Sequence, residues 1–136
     1  MMRGMKRSRS ARHRQLVEGE WVVDARVARL AEPAVLVILA EGPTHGYELL
    51  ERLPALLGAE SVDAGNLYRF LRALEADGIV TSAWDAELPG PARRTYSISD
   101  AGRQLLSAWV GALEATRARI DQFLDQSRGG EHVQRT

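Results

Sequence analysis

Apolar residues recur between positions 15 and 77 at intervals of three and four, which is the spacing of amphipathic helices. The pattern predicts four helices, over residues 15–32, 33–41, 44–57 and 63–77. Thr44 and Asp63 stand where the last two begin, and their short polar side chains are typical caps for the free N–H groups of a first turn. Gly42 and Gly78 fit helix ends, because glycine accepts the left-handed conformation common there.

The period changes after Gly78, where two β-branched and aromatic stretches of strand length follow one another. They cover residues 79–84 and 94–99, and they are joined by Asp85–Arg93, a segment with two prolines and a glycine. The pattern predicts a β-hairpin with a long, stiff loop.

A final helix is predicted over residues 99–126, capped by Ser99 and followed by a polar, flexible tail over residues 127–136. Its large apolar side chains fall within roughly 100° of arc; they are Leu105, Leu106, Trp109, Leu113, Ile120, Phe123 and Leu124. At about 25 cal/mol per Å² of apolar surface, leaving several of them in water would forfeit several kcal/mol. We therefore expect a second copy of the chain to cover a seam formed by Trp109, Leu113, Ile120 and Phe123.

The order of elements indicates a mainly α fold with a small β-hairpin. Three helices, a two-stranded hairpin and a long helix describe a winged helix-turn-helix domain over residues 33–98 with a long C-terminal dimerisation helix. The loop Asp85–Arg93 would be the wing.

Composition narrows the chemistry that the chain can perform. With 45% hydrophobic and 26% charged residues in 136, one globular domain with appendages is expected. There is no Cys and only three His, so the sequence offers no disulfide, no thiol nucleophile and little for a metal. No set of base, nucleophile and orienting residue is present, and we expect neither catalysis nor a cofactor.

The chain offers no sign of a membrane or secretory address. No apolar run reaches the roughly 18–20 residues of a membrane span, and the charged first residues lack the apolar core of a signal peptide. A cytoplasmic protein that makes no membrane contact is expected.

Charge is distributed unevenly although the formal net charge is zero. Six of the 18 Lys and Arg lie within residues 1–14, which contain no Asp or Glu, so the remainder of the chain is acidic. A block of this kind is typical of a disordered basic arm that contacts polyanions, although a solvated tail that touches nothing is the alternative.

The helix over residues 63–77 has one face suited to reading DNA. Its apolar stripe leaves Arg69 and Arg72 on the opposite side, with Asn66 and Tyr68 on the flanks. Arg can bond guanine O6 and N7, and Asn can bond adenine N6 and N7, in the major groove. Any surface helix also has a solvated polar face, so this signal alone is weak.

The predicted wing adds a second cationic element. Arg93 and Arg94 stand where a hairpin loop would reach the DNA backbone or the flanking minor groove. Salt bridges to Asp85 and Glu87 are the alternative. Tyr47 is expected to pack between helices with its hydroxyl bonded locally.

Three stretches resemble the PadR-like transcriptional regulators. They are AEGPTHGYELLERL from Ala40 to Leu53, GNLYRFLRALEADGIV from Gly65 to Val80, and GPARRTYSISDAGRQLL from Gly90 to Leu106. The resemblance covers a little over half of the chain, from Ala34 to Leu106. The family pattern usually has Thr or Ser where this chain has Asn66, and Pro where it has Arg69.

The resemblance implies a winged-helix DNA-binding repressor that dimerises through its final helix, with support from the predicted helix over residues 15–32. It also implies a response to a small aromatic effector. Trp109, midway along the predicted seam, is a candidate effector contact, although plain interface packing is the alternative. A homodimer would present two reading helices to a palindromic operator in double-stranded DNA. A winged-helix module that docks another protein without reading DNA is the competing interpretation.

Overall fold

The computed structural model describes residues 14–23, 30–85 and 93–135. The chain divides into two compact units, Met1–Leu30 and Ala31–Thr136. The predicted basic arm lies outside the described residues except for Arg14, which opens the first strand. The loop of the predicted wing also lies outside them between residues 86 and 92.

The first unit contains a β-hairpin of β1 (Arg14–Val17) and β2 (Glu20–Val23), so the predicted helix over residues 15–32 is wrong here. Val17 pairs with Glu20, which leaves a two-residue turn of Glu18 and Gly19 with φ of 52° and 83°. Two successive positive φ angles are the signature of a tight hairpin turn, and Gly19 makes this conformation accessible. Residues 24–29 of the predicted helix lie outside the described part of the chain.

Four helices and a small sheet form the described part of the second unit, and three of these helices precede the sheet's last two strands. These three are α1 (Ala31–Glu41), α2 (Gly46–Leu57) and α3 (Ala64–Ala76). The antiparallel sheet has the order β3-β5-β4, with β3 (Thr44–His45), β4 (Val80–Asp85) and β5 (Arg93–Ile98). The predicted hairpin strands are confirmed within one residue at each end.

Helix α1 lies at the centre of the hydrophobic core. It is apolar on nearly every side, and Val35, Leu36 and Ile38 are fully buried. It packs against α2, against β5 and against the final helix. Leu49 and Leu53 of α2 complete this buried layer.

The start of α2 differs from the prediction. Thr44 does not cap the helix. It belongs to β3, where it pairs with Tyr96 of β5, and its Oγ1 donates to the carbonyl of Gly42 at 2.9 Å. His45 takes the cap position instead, and Glu48 accepts from the His45 backbone N–H at 3.4 Å.

The final helix, α4 (Asp100–Arg135), begins as the sequence predicts and ends later. The Ser99 hydroxyl accepts from the backbone N–H of Gly102 at 3.0 Å, which confirms the predicted cap. The helix does not stop at residue 126, and the predicted flexible tail over residues 127–136 is helical to Arg135. A continuous ladder of backbone hydrogen bonds can extend through residues that favour helix weakly.

Gly102 brings the start of α4 close to the sheet. An added Cβ would overlap the Ile79 carbonyl oxygen and lie 2.7 Å from Cγ1 of Ile98. The Ser99 hydroxyl donates to the same carbonyl at 2.8 Å. The sequence Ser-Asp-Ala-Gly therefore fixes both the cap and the close approach that places α4 on the core. Together these elements confirm the predicted fold class, mainly α with a small β-hairpin and a long C-terminal helix.

Candidate nucleic-acid interface

Helix α3 buries one side and exposes a polar, cationic side. Asp63 caps its first turn by accepting from the Asn66 backbone N–H at 2.8 Å. Leu67, Leu71 and Leu74 are buried, as predicted. The opposite side exposes three of the predicted DNA-binding residues, namely Asn66, Arg69 and Arg72.

The exposed polar residues of α3 differ in how they are held. Arg69 donates from Nη2 to Oδ1 of Asn66, one turn earlier in the helix, so these two side chains form one polar pair. Arg72 makes no hydrogen bond or ion pair with any other described residue. The outer side of α3 therefore offers a guanidinium and an amide held together, with a second guanidinium beside them.

Tyr68 does not belong to the outer side. It is half-buried between α2 and α3, and its ring covers the backbone of Gly46. A Cβ added at Gly46 would lie 2.7 Å from Cε1 of Tyr68 and 3.0 Å from its hydroxyl. The glycine of the HGYEL motif thus allows the Tyr68 ring to lie against the first turn of α2.

Arg93 of the wing is oriented by Tyr47. Its Nη1 donates to the Tyr47 hydroxyl at 3.2 Å, and its guanidinium carbon lies 5.4 Å from the centre of the Tyr47 ring. This is a cation–π arrangement. Tyr47 is 46% exposed and contacts the wing, so the prediction that it packs between helices with a local bond is wrong.

Arg94 has a different environment from its neighbour. Its Nε donates to the Ser82 hydroxyl at 3.0 Å, and that hydroxyl donates to the Glu75 carboxylate at 2.9 Å. Its guanidinium also lies 5.3 Å from the Trp84 ring centre and 3.9 Å from Oε1 of Glu75. Arg94 therefore links β5, β4 and α3 rather than reaching outward.

One arginine of the wing does form an ion pair, but with an acid other than Asp85 and Glu87, which the sequence offered as partners. Glu75 on α3 is the partner of Arg94, whereas Asp85 forms no ion pair within the described ranges and Glu87 lies outside them. Two of the predicted site residues, Tyr68 and Arg94, thus position other groups.

These elements enclose a concave pocket of about 350 Å³. It opens between the start of α2, helix α3 and strands β4 and β5. Its described lining residues are His45, Gly46, Tyr47, Tyr68, Arg72, Trp84, Arg93, Arg94 and Tyr96. Trp84 and Tyr96 line this site but are not among the predicted site residues. The alternation of exposed and buried residues along the two strands is the signal that could have placed them.

Two polar groups of the pocket lack partners. Tyr96 is 3% exposed, and its hydroxyl makes no hydrogen bond with the described residues. Burial raises the pKa of Tyr96 above its ordinary 10.0, against the opposing effect of Arg94, so the hydroxyl stays protonated at neutral pH. Nε2 of His45 is buried and also has no hydrogen-bond partner in the described structure.

The predicted dimer seam on α4 falls into two parts. Leu105, Leu106 and Trp109 pack against the core of their own chain, and Nε1 of Trp109 donates to Oε1 of Glu32 at 2.7 Å. Further along, Leu113 is half-buried, whereas Ile120 and Phe123 are 41% and 66% exposed.

Residues 14–23, 30–85 and 93–135 offer neither a metal-binding cluster nor a membrane-spanning helix. These ranges contain no group of three or more His, Cys, Asp or Glu that could hold a metal ion. The helices of the same ranges include none that is long and apolar enough to cross a membrane.

Comparison with known sequences gives consistent matches. The model of the transcriptional regulator PadR-like family matches residues 35–108, which is more than half of the chain. A probable transcriptional regulator of Mycobacterium tuberculosis is 33% identical over 78 residues, covering 57% of this chain and 41% of the relative. The chain therefore spans about two fifths of the length of this curated relative.

Solved structures share the same fold. A PadR family transcriptional regulator from Eggerthella lenta is 28% identical, with a TM-score of 0.60, over 70% of this chain and 81% of that chain. Bacillus subtilis PadR in complex with operator DNA is 25% identical, with a TM-score of 0.53, over 60% of this chain and 47% of that chain.

Proposed function

The chain belongs to the PadR-like family of transcriptional regulators, and we propose that it is a homodimeric repressor that reads double-stranded DNA with α3. The observation that carries the proposal is the outer side of α3, where Asn66, Arg69 and Arg72 are exposed on a helix capped by Asp63. Fork-shaped and amide side chains of this kind suit the major-groove edges of guanine and adenine.

The wing supports the same orientation toward DNA. Arg93 lies at the start of β5, and Tyr47 holds its guanidinium by a hydrogen bond and by its ring. A cation at this position is suited to a backbone phosphate beside the groove that α3 would enter. Arg94 would act indirectly, by fixing the wing strands to α3 through Ser82 and Glu75.

The distal part of α4 supports a dimer. Ile120, Phe123 and Leu124 lie on one side of the helix and are each more than 40% exposed. A second copy of α4 would cover them, and a two-fold axis would place two α3 helices on half-sites about one helical turn, roughly 34 Å, apart.

An effector site near Trp109 is part of the proposal. The indole borders a shallow apolar surface with Leu105, Ala108 and Ala112, and Glu32 accepts its N–H. A small aromatic compound could stack there if the partner helix forms the opposite wall. Quenching of the Trp109 fluorescence by a phenolic compound, absent in Trp109→Phe, tests this part.

Selection of bound duplexes from a random pool tests the DNA-binding proposal. We expect the wild type to enrich a sequence with two symmetric half-sites and to bind it less tightly as salt increases. Transcription from a promoter carrying this sequence then tests the sign, because a repressor lowers transcript yield when the protein is added.

A paired variant separates this function from the protein-docking alternative. Arg69→Gln with Arg72→Gln should abolish retention of the selected duplex and leave the oligomeric state unchanged. Arg103→Gln with Arg128→Gln removes the same charge from exposed positions on α4 and is the matched control. Unchanged DNA retention by the α3 variant would contradict DNA reading and favour a docking module.

A further inference from the structure

The pocket between α2, α3 and the wing strands has the chemistry of a phosphate site, and we propose that it binds one backbone phosphate of the duplex in each half-site. This inference depends on the proposed DNA binding and adds residues that the outer side of α3 does not include. The residues assigned to the phosphate are Arg93, Tyr96 and His45, with Arg72 at the border of the groove.

The pocket is cationic in its described lining. Three of the lining residues are arginines and none is Asp or Glu. Glu75 neutralises only Arg94, from behind, whereas Arg72 and Arg93 have no carboxylate partner among the described residues. An uncharged ligand would bury these guanidinium groups without replacing their hydration. An oxyanion would accept hydrogen bonds from them.

Unpartnered polar groups point to a ligand in the same place. Tyr96 lines the pocket and is 3% exposed as a residue, and its hydroxyl makes no hydrogen bond with any described residue. Nε2 of His45 is buried and has no hydrogen-bond partner in the described structure. Buried polar atoms are nearly always hydrogen-bonded in folded proteins, so the unpartnered Nε2 indicates a missing partner in this pocket. A protonated phenol and an imidazole N–H both donate to phosphate oxygens.

The scaffold of the pocket favours an anion and fixes its donors. The first turn of the 12-residue helix α2 borders the pocket, and its positive end adds to the field of the arginines. The Tyr68 ring lies against Gly46, and Tyr47 holds Arg93. Donors that are held before binding lose little entropy when the ligand arrives.

The position of Arg72 identifies DNA as the source of the phosphate. This residue lies on the outer side of α3 and also lines the pocket, so the pocket opens onto the surface that would face the groove. A phosphate seated there would belong to the strand that borders the groove. A free phosphorylated compound has the same chemistry, and the experiment below separates the two sources.

Methylphosphonate scanning of the selected duplex tests the proposal. Each phosphate in turn is replaced by a neutral methylphosphonate, and the affinity is measured for the wild type, Tyr96→Phe and Arg93→Gln. Tyr96→Phe keeps the ring that packs in the core and removes only the hydroxyl. Arg103→Gln on α4 is the control for loss of one positive charge.

We expect one phosphate in each half-site at which neutralisation weakens wild-type binding by on the order of tenfold. At that phosphate, neutralisation should weaken binding by Tyr96→Phe and by Arg93→Gln less than it weakens wild-type binding, because each variant lacks one of the groups that would bond the phosphate. Arg93→Gln should also make the dependence of log K on log salt shallower by about one. Arg103→Gln should retain the wild-type profile.

Three outcomes would overturn the inference. In the first, the wild type binds the duplex, but at every phosphate the loss of affinity from the methylphosphonate adds to the loss from each variant. This would place the phosphate elsewhere and leave the proposed function intact. In the second, the same additivity is found and the protein also binds inorganic pyrophosphate saturably without DNA, whereas Tyr96→Phe does not. This would make the pocket a site for a free phosphate compound. No binding of any duplex by the wild type would remove the proposed function as well.

Discussion

The body of the second unit, residues 31–109, and the distal half of α4, residues 110–129, place similar apolar side chains in opposite surroundings. In the body, Leu36 and Ile38 are fully buried. On the distal half, Phe123 is 66% exposed and Ile120 is 41% exposed, within one continuous helix. The apolar side chains of the body are therefore covered by their own chain, whereas Ile120 and Phe123 are not.

The comparison divides a stripe that looks uniform in the sequence. Trp109 and Phe123 occupy the same side of α4, yet the indole is bonded to Glu32 of its own chain and the phenyl ring has no such contact. Substitutions in the first part should change the stability of the body, and substitutions in the second should change assembly.

The largest effect is expected in the distal half. Ile120→Asp with Phe123→Asp would place four carboxylates in the seam of a symmetric dimer. We expect the dimer dissociation constant to rise by about 100-fold or more, roughly 3 kcal/mol, because charged groups would be buried without partners. Sedimentation across a concentration series measures it.

The control for this prediction is Gln122→Asp with Gln126→Asp, which adds the same charge at exposed positions on the other side of α4. It should leave the dissociation constant near the wild-type value. Equal weakening by both variants would mean that charge alone, not the apolar stripe, governs assembly.

The body should respond most to Gly102→Ala. The new Cβ would meet the Ile79 carbonyl, which is backbone and cannot rotate away, so we expect a loss of about 2–3 kcal/mol in the free energy of unfolding. Gly111→Ala on the same helix meets nothing within 4 Å and should instead stabilise the protein by about 0.5–1 kcal/mol. Urea denaturation at one protein concentration compares them. Equal stability of the two variants would contradict the close approach of α4 to the sheet.

Trp109→Phe tests the junction between the two regions. It removes the 2.7 Å hydrogen bond to Glu32 and should lower the free energy of unfolding by about 1–2 kcal/mol. Glu32→Gln keeps a side-chain oxygen that can accept the same bond, so its loss should be smaller. A larger effect of Trp109→Phe on dimer dissociation than on unfolding would assign the indole to the interface.

The smallest effect is expected in the pH dependence of stability above pH 10, and it arises from Tyr96 in the body. Because burial raises the pKa of Tyr96 in the folded state above 10.0, ionisation favours the unfolded chain. The stabilisation is complete below pH 10 and is lost as pH rises through the higher folded value. We expect the stability of Tyr96→Phe to fall less steeply above pH 10 than that of the wild type. Parallel curves would show that Tyr96 does not contribute.

Elements with strong local signals could be predicted from the sequence. Asp63 and Ser99 cap α3 and α4 as expected, because a cap is decided by a side chain and the N–H groups two or three residues away. The exposed positions of Asn66, Arg69 and Arg72 follow directly from the helical period.

Features that depend on distant contacts could not be predicted in this way. The bond between Trp109 and Glu32 joins residues 77 positions apart, and Tyr47 and Arg93 are 46 positions apart. The short strand at Thr44 exists because β5 offers it a partner. Near the start of the chain, the helical spacing over residues 15–32 involves few apolar residues. The Glu18-Gly19 turn forms a hairpin there instead of a helix.

The central claim is that two copies of this chain, joined along α4, present two α3 helices to one duplex. Native mass spectrometry of the wild type with the selected duplex tests it most directly. The account predicts two chains without DNA, and two chains on one duplex whose binding is lost when Arg69 and Arg72 become Gln. A single chain on the duplex at saturation, or a complex that survives this substitution, would contradict it.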